Sequence, residues 1–312
     1  MSMPNHLPLE KRRRIFHLLC EGNGIRSITR LVKCSTNTVS ELQKKYCSIV
    51  EFINKTHFKG LQFDEIEADE IRTFVYKKDN IRWIFIAMER NSRCVLHFHI
   101  GNRDTASARE FLVGLSHKLD SNYNVSTDNL LSYISAVEKN PYGRIDAEVS
   151  KINMIRGENP GKVLGRGITN RVERGNGTVR QHVSRLIRKT KCFSKKEEGL
   201  RQHLTLFFFY YNFIKINKAH KATPVLVAGI SDEAYWEDKI IEYDMLFSEN
   251  MANKSSKRSY GVLDPGSKKV LSISEGEKGA FMDELAAISG FQKTDRKRGT
   301  YNKAGKVIKM IS

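Results

Sequence analysis

The chain has 312 residues, of which 40% are hydrophobic and 9% aromatic, so it can bury a core and is long enough for about two domains. Lys and Arg number 53 against 35 Asp and Glu, and the net charge of +18 favours nucleic acid as a partner over an anionic membrane surface. The most apolar run, 204–214, is too short to span a membrane. The five cysteines form no Cys-x-x-Cys pair, which argues against a zinc site and favours a reducing compartment.

Three short helices are predicted at the start of the chain, at 9–20, 25–32 and 36–46. A tight turn before the last of them is typical of a helix-turn-helix, whose final helix enters the major groove of DNA. Any small three-helix bundle shows the same periodicity, but the net charge favours DNA binding. We therefore predict an all-α domain at 1–50 and a connector at 51–61. The residues expected to contact DNA are Thr36, Asn37, Ser40 and Lys44.

From residue 62 the apolar period changes from that of helices to that of strands. Strands predicted at 66–75, 81–88 and 94–100, joined by short polar links, indicate an antiparallel meander. A helix beginning at Thr105, a strand at 123–127 and another helix then precede a basic helix that begins near residue 169. This order predicts an α/β fold over 62–230, a mixed sheet with helices on its faces, of the ribonuclease H type.

Three acidic residues occupy positions from which they can converge. Asp69 lies in the first strand, Asp128 at the end of strand 123–127, and Glu173 in the basic helix. Sites form at the ends of strands in open α/β sheets. Converging carboxylates repel one another and need cations, which two Mg²⁺ (or Mn²⁺) ions would supply while they activate the attacking and leaving oxygens of a phosphodiester.

Each acid also has an ordinary explanation. Asp69 could be a solvated strand residue, and Asp128 could belong to a turn. Glu173 follows Asn170 by three residues, which is the spacing of a capping box. The combination of three acids is more specific than any one of them. The acids that compete with Asp69 for its role are Asp64, Glu67 and Glu70.

Cations surround Glu173 in the predicted basic helix, which would extend as far as residue 189. Next to a metal site, such cations can bind the phosphates of a nucleic acid backbone. The cations in this stretch are Arg174, Arg180, Arg185, Arg188 and Lys189.

Several blocks of the sequence, covering residues 10–230, together resemble transposases of the insertion-sequence-one type, which are DDE transposases. The strongest block is Thr169-Asn170-Arg171-Val172-Glu173-Arg174 with Asn176, Val179-Arg180-Gln181-His182, Arg185-Leu186, Arg188-Lys189 and Phe193-Ser194. Earlier blocks, in the family's order, are Asp69-Glu70, Trp83, His99-Ile100-Gly101 and Thr127-Asp128. The chain departs from the pattern at Ile71-Arg72, where members often carry an aromatic residue, and it lacks the cysteine pairs of the zinc-binding segment that many members have.

The resemblance implies that Asp69, Asp128 and Glu173 form the catalytic, metal-binding triad, and that Asn176 and Arg180 contact DNA. It implies a transposase that binds the ends of an insertion sequence and performs metal-dependent cleavage and strand transfer. Its partners would be double-stranded DNA, at element ends and targets, and further copies of itself in a homodimer or larger assembly. Such a protein would be cytoplasmic and nucleoid-associated in a prokaryote.

Two alternatives remain open from the sequence. One is a catalytically silent, sequence-specific DNA-binding regulator derived from a transposase, and the presence of all three acids argues against it. The other is a nuclease of the same fold that only hydrolyses DNA. Residues 231–312 are predicted to contain helices and a basic tail, which is either a DNA-backbone-binding segment or a solvated end.

Overall fold

In the computed structural model, the described residues are 7–128, 131–137, 149–156, 169–187, 189, 191–232, 236–252, 292–295, 300–303 and 306–309. Helices α1 (Leu9–Cys20), α2 (Ile25–Val32) and α3 (Thr36–His57) lie where the sequence predicts helices. Ser35 caps α3, since its Oγ accepts a hydrogen bond from the Thr38 amide at 3.0 Å.

Helix α3 is longer than predicted. It continues from Tyr46 to His57, so the segment 51–61, predicted as a connector, is helical as far as residue 57. The extension is stabilised by burial, because Ile49, Val50, Phe52 and Ile53 are each at most 4% exposed. The position of the boundary between the two predicted domains stays a prediction, as does the helix-turn-helix assignment.

A mixed five-stranded sheet forms the centre of the protein, as predicted. It consists of β1 (Glu65–Phe74), β2 (Ile81–Glu89), β3 (Val95–Gly101), β4 (Tyr123–Thr127) and β5 (Ile152–Arg156), in the order β3-β2-β1-β4-β5. The first three strands are antiparallel neighbours, whereas β4 runs parallel to β1 and β5 parallel to β4. Strand β5 was not predicted from the sequence.

Helices cover both faces of this sheet. Helices α4 (Thr105–Ser116) and α5 (Leu131–Val137) lie on one face, in a hydrophobic cluster that also includes residues of α1–α3. Helices α6 (Asn170–His182) and α7 (Glu197–Phe209) lie on the other face, in a second cluster. The helices at the start of the chain therefore share a core with the sheet.

Strand β3 is at the edge of the sheet, and a side chain forms hydrogen bonds with the backbone of its first residue. A π-helical turn, Tyr210–Ile214, follows α7 and carries the buried Asn212. The amide of Asn212 accepts a hydrogen bond from the Val95 N–H at 2.9 Å and donates one to the Val95 carbonyl at 2.7 Å. The side chain thereby takes the place of a neighbouring strand's peptide group.

The last part of the described chain contains α8 (Pro224–Val227), α9 (Trp236–Ala252) and a small antiparallel sheet of β6 (Gln292–Asp295), β7 (Thr300–Lys303) and β8 (Lys306–Lys309). Helix α9 is held by the fully buried Asp244, which forms ion pairs with Arg12 of α1, at 3.1 Å, and with Lys45 of α3. The described residues include no helix that is both long and apolar enough to cross a membrane.

Candidate active site

Strand β1 presents its carboxylates to both faces of the sheet, because successive side chains of a strand point in opposite directions. Glu67 and Asp69 are directed toward α6, where both make hydrogen bonds. Glu70 is directed toward the other face, where it lies near Tyr133 of α5. Of the acids that competed with Asp69 in the sequence, Glu67 and Glu70 are therefore buried, whereas Asp64 is exposed.

Glu67 fixes the start of α6 over the sheet. Its Oε2 accepts hydrogen bonds from the backbone amides of Arg171, at 2.7 Å, and Val172, at 2.9 Å. Its Oε1 accepts one from Arg90 at 2.7 Å, and its side chain is 1% exposed. Burial raises the pKa of Glu67, and these donors oppose the shift. The first amides of a helix lack partners within it, so a carboxylate placed there binds the helix end.

Glu173 does not form the capping box that its spacing from Asn170 allowed. The residue at the cap position of α6 is Thr169, whose Oγ1 donates a hydrogen bond to Glu173 Oε1 at 2.8 Å. Glu67, more than a hundred residues earlier in the chain, accepts the helix amides instead. The carboxylate of Glu173 is exposed, on the first turn of the helix.

Asn176 is buried against Asp69. Asn176 was predicted to contact DNA, but the residue is only 7% exposed. Its Nδ2 donates a hydrogen bond to Asp69 Oδ2 at 2.7 Å. Asn176 lies one turn beyond Glu173, so the same stretch of α6 brings both side chains toward β1. The structure thus gives Asn176 a positioning contact with a predicted catalytic acid, away from the surface where a DNA contact was expected.

Three carboxylates converge beside the junction of β1 and β4. One oxygen each from Asp69, Glu70 and Asp128 lies within 4.8 Å of the others. The parallel pairing of β1 with β4 explains this, because Ala68 pairs with Thr127 and the next residue of each strand is an aspartate. The predicted pair Asp69 and Asp128 is thereby brought together.

This cluster has too little positive charge nearby to balance its carboxylates. Burial raises the pKa of Asp69 to about 6, with further increases from the charges of Asp128 and Glu173. Burial raises the pKa of Glu70 to about 7, and the charges of Asp128 and Asp69 add to the shift. Glu173 therefore acts on Asp69 through its charge, although its carboxylate is not among the three that converge.

Glu70 is a member of the cluster. From the sequence it was only a competitor of Asp69 for the catalytic role. Its side chain is 1% exposed, and Arg103 lies 3.3 Å from its Oε2. Its Oε1 has no hydrogen-bond partner within the described residues. The Arg103 guanidinium also lies 3.7 Å from Asp128 and stacks on Trp83, 4.5 Å from the ring.

The donor set fits a divalent metal such as Mg²⁺. Mg²⁺ is bound in proteins by carboxylate oxygens, and the cluster offers three, one of them on a residue with a buried, unpartnered oxygen. A metal ion would offset the burial of Asp69 and Glu70 and the repulsion among the three carboxylates, which together raise the pKa values of Asp69 and Glu70.

The residues of α3 that were predicted to contact DNA are accessible to different degrees. Thr36, Asn37 and Lys44 are exposed. Ser40 is half-buried and donates a hydrogen bond to the Thr36 carbonyl at 2.9 Å. Lys44 forms an exposed ion pair with Glu41 at 2.8 Å. Their contact with DNA stays a prediction.

The basic helix is shorter than predicted. Helix α6 ends at His182, and the chain continues in a 3-10 turn, Ser184–Leu186. The helix ends there because Val183 and Leu186 pack in the second hydrophobic cluster. Arg174 is exposed on α6 and Arg180 is half-buried there. Lys189 is exposed beyond the helix, and Arg188 lies outside the described residues.

Comparison with known proteins identifies the family. A family model described as IS1 transposase matches residues 151–210, which include α6 and Glu173. Insertion element iso-IS1n protein InsB of Shigella dysenteriae is 31% identical over 132 residues, covering 42% of this chain and 84% of that protein. The chain belongs to the IS1 transposase family. Insertion element IS1 protein InsB of Shigella flexneri is 30% identical over 132 residues, with the same coverage.

Two solved structures with similarity to this IS1-family protein are a viral intasome and an integrase catalytic core domain. A simian T-cell lymphotropic virus intasome, in complex with PP2A regulatory subunit B56 gamma, matches with a TM-score of 0.39 and 13% identity, over 72% of this chain and 74% of that one. The HTLV-2 integrase catalytic core domain in complex with magnesium matches with a TM-score of 0.34 and 12% identity, over 55% of this chain and 99% of that one.

Proposed function

We propose that this protein is a transposase that binds the ends of an insertion sequence and performs metal-dependent cleavage and strand transfer on DNA. The observation that supports this most strongly is the convergence of Asp69, Glu70 and Asp128, with Glu173 of the family-matched segment acting on the same cluster. The net charge of +18 suits a DNA substrate.

Asp69 and Asp128 are the proposed metal ligands on the sheet, and Glu173 is the third, from α6. Glu173 is exposed and is held by one hydrogen bond, from Thr169, so its side chain can turn toward the cluster. Asn176 keeps Asp69 oriented through its hydrogen bond. Two bound Mg²⁺ or Mn²⁺ ions would supply activation of the attacking oxygen and stabilisation of the leaving oxygen.

The protein's own contribution to the chemistry is positioning and charge. In the first step water attacks a phosphodiester at the element's end and leaves a free 3′-hydroxyl. That hydroxyl then attacks a target phosphodiester, so one bond forms as another breaks in the same site. The carboxylates must be ionised for both steps. Arg174, Arg180, Arg188 and Lys189 are proposed to bind the DNA backbone.

The proposal extends to the remaining surfaces. Helix α3 is proposed to lie in the major groove, with Thr36, Asn37, Ser40 and Lys44 toward the bases. Bringing two element ends together needs at least two copies of the chain, so a homodimer or larger assembly is proposed on DNA.

The test is a cleavage and strand-transfer assay on labelled duplexes that carry the element's ends, with Mg²⁺ or Mn²⁺. Asp69→Asn, Asp128→Asn and Glu173→Gln should each lower the rate by at least ~10³-fold while DNA binding persists. Asp64→Asn, an exposed acid just before β1, is the matched control and should keep full activity.

The outcomes separate the alternatives. Cutting without joined products would identify a nuclease. Tight, sequence-specific binding with no cutting in either metal would favour the regulator, and Glu173 would then be an acid that only stabilises the start of its helix.

A further inference from the structure

A cavity lies beside α6, away from the carboxylate cluster. It has a volume of about 380 Å³ and is bounded by the β2–β3 turn, α6 and the segment 211–224. Among the described residues, its lining contains no Asp or Glu. Its cationic lining residues are Arg93, Arg171, Arg174, Lys215 and Lys218.

The cavity and the cluster lie on different sides of the same helix. Arg171, Arg174 and Thr178 follow one another at spacings of three and four residues, so they share one face of α6. At 3.6 residues per turn, Glu173 and Asn176 lie nearly on the opposite face. A phosphodiester bound at Asp69 is therefore separated from the cavity by the width of the helix.

The cations of the cavity are not paired with carboxylates in the described part of the chain, although the charges of Glu67 and Glu21 act on Arg171 and Lys215. Lys215 donates a hydrogen bond to His182 Nε2 at 2.7 Å, and Arg93 has a buried Nε without a partner. The charge of Glu21 acts on Lys215, but the Glu21 carboxylate also accepts a hydrogen bond from Tyr210 Oη.

The burial of Lys215 also favours an anion in this cavity. Burial lowers the pKa of Lys215, and the charge of Lys218 lowers it further. Burial also lowers the pKa of His182, whose Nε2 is the hydrogen-bond partner of Lys215. An anion in the cavity would stabilise the charged form of Lys215. Gln181, Thr178 and Tyr211 add uncharged polar groups to the lining.

We propose that this cavity binds a phosphodiester of the DNA backbone, and that this phosphodiester is not the one that is cut. Phosphate oxygens accept charge-assisted hydrogen bonds from Lys and Arg, and such contacts fix the register of DNA without reading its sequence. The inference rests on the proposed function and adds to it a second anchoring point, behind the catalytic helix. Inorganic phosphate has the same chemistry, so the experiment must distinguish it from DNA.

The experiment measures the affinity of the full chain for a labelled element-end duplex at several salt concentrations. The variants are Lys218→Gln, which changes an exposed residue, and Lys215→Gln combined with Lys218→Gln. The control is Lys78→Gln, an exposed lysine in the β1–β2 turn, at the opposite end of β2 from Arg93. Thermal melting establishes that each variant is folded.

The double variant should bind about tenfold more weakly near 0.1 M salt, with the slope of log K against log salt reduced by about one. The control should keep the slope of the unsubstituted protein. Duplexes with single methylphosphonates then locate the contact. One neutral linkage, distinct from the cut position, should weaken binding by the unsubstituted protein but not by the double variant.

Two outcomes overturn the inference. One is a double variant that binds with the slope of the control while the unsubstituted protein binds and cuts DNA. The other is stabilisation by inorganic phosphate that the variants lose, with no change in DNA binding. Failure of the proposed function gives a different result, because DNA binding would still depend on the cavity while no metal supported cutting.

Discussion

The carboxylates of strand β1 lie in two different surroundings. Glu67 is surrounded by donors, with two helix amides and Arg90 on its oxygens. Asp69 and Glu70 extend toward opposite faces of the sheet but each has an oxygen within 4.8 Å of the other and of Asp128, and one oxygen of Glu70 has no partner in the described chain. Burial alone therefore does not distinguish an acid that binds a helix end from one that belongs to the carboxylate cluster. The supply of hydrogen-bond donors does.

The largest effect on stability should come from removing the charge of Glu67. Glu67→Gln leaves Arg90 without its buried partner and turns an N–H₂ group toward helix amides, and we expect a loss of about 3 kcal/mol in the free energy of unfolding. Denaturant titration measures it. Glu65→Gln removes the exposed partner of the same arginine, 3.3 Å from it, and should cost less than about 1 kcal/mol. Equal losses for the two variants would contradict this account of Glu67.

A smaller change is expected on the cluster side, in activity more than in stability. Asn176→Ala removes the hydrogen bond that orients Asp69, and the cleavage rate should fall by about 10- to 100-fold. Asn153→Ala removes a comparable but exposed amide hydrogen bond, to Asn124 on β4, and should leave the rate unchanged. An Asn176→Ala protein with full activity and weakened DNA binding would instead make Asn176 the DNA contact predicted from sequence.

Because the cluster has too little positive charge to balance its carboxylates, the stability of the protein should depend on pH and on metal. The pKa values of Asp69 and Glu70 are raised to about 6 and about 7, above their unfolded values, so the unfolded state loses these protons first as pH rises. The two groups therefore reduce stability as pH rises from about 4 to about 7. Mg²⁺ should raise the melting temperature at pH 8 and have little effect at pH 5.

That metal effect should correspond to roughly 2–3 kcal/mol at a concentration 100-fold above the dissociation constant. Differential scanning fluorimetry with and without Mg²⁺ measures it. Asp128→Asn should abolish it, and Glu67→Gln should keep it. A shift of the same size in Asp128→Asn would place the metal elsewhere.

The smallest effect concerns how closely α6 approaches the sheet. A Cβ on Gly175 would lie 2.5 Å from Cε of Met88 on β2, so Gly175→Ala requires that side chain to move. Because a methionine adapts easily, we expect a loss of about 1 kcal/mol in the free energy of unfolding. Gly177→Ala has open space around it and should stabilise the helix by up to about 1 kcal/mol. Chemical denaturation of both variants would show whether the signs differ.

The sheet and two of its acids could be predicted because their signals are local. Apolar segments separated by short polar links predicted β1 to β3, and Asp128 directly follows the β4 strand that pairs with β1. Strand β5 was missed, because none of its residues 152–155 is buried and its apolar pattern is weak, whereas β4 alternates buried and half-buried residues.

The roles of Glu67, Glu70 and Asn176 could not be predicted from sequence, because each depends on distant partners. Glu67 and Asn176 form hydrogen bonds that join β1 to α6 across more than a hundred residues. Glu70 joins the cluster through the side of the sheet that faces Tyr133 and Arg103. The spacing of Asn170 and Glu173 suggested a local cap, but a carboxylate from the sheet already satisfied the helix amides.

The hydrogen bonds of Asn212 to Val95 have a consequence for solubility. An unpaired edge strand is a template on which a strand of another molecule can add, and this is a common route to aggregation. At the start of β3 both backbone groups of Val95 are already satisfied by one side chain. An incoming strand would have to displace a buried amide before it could pair from that residue. Copies of the chain are thus kept from joining sheet to sheet at this position.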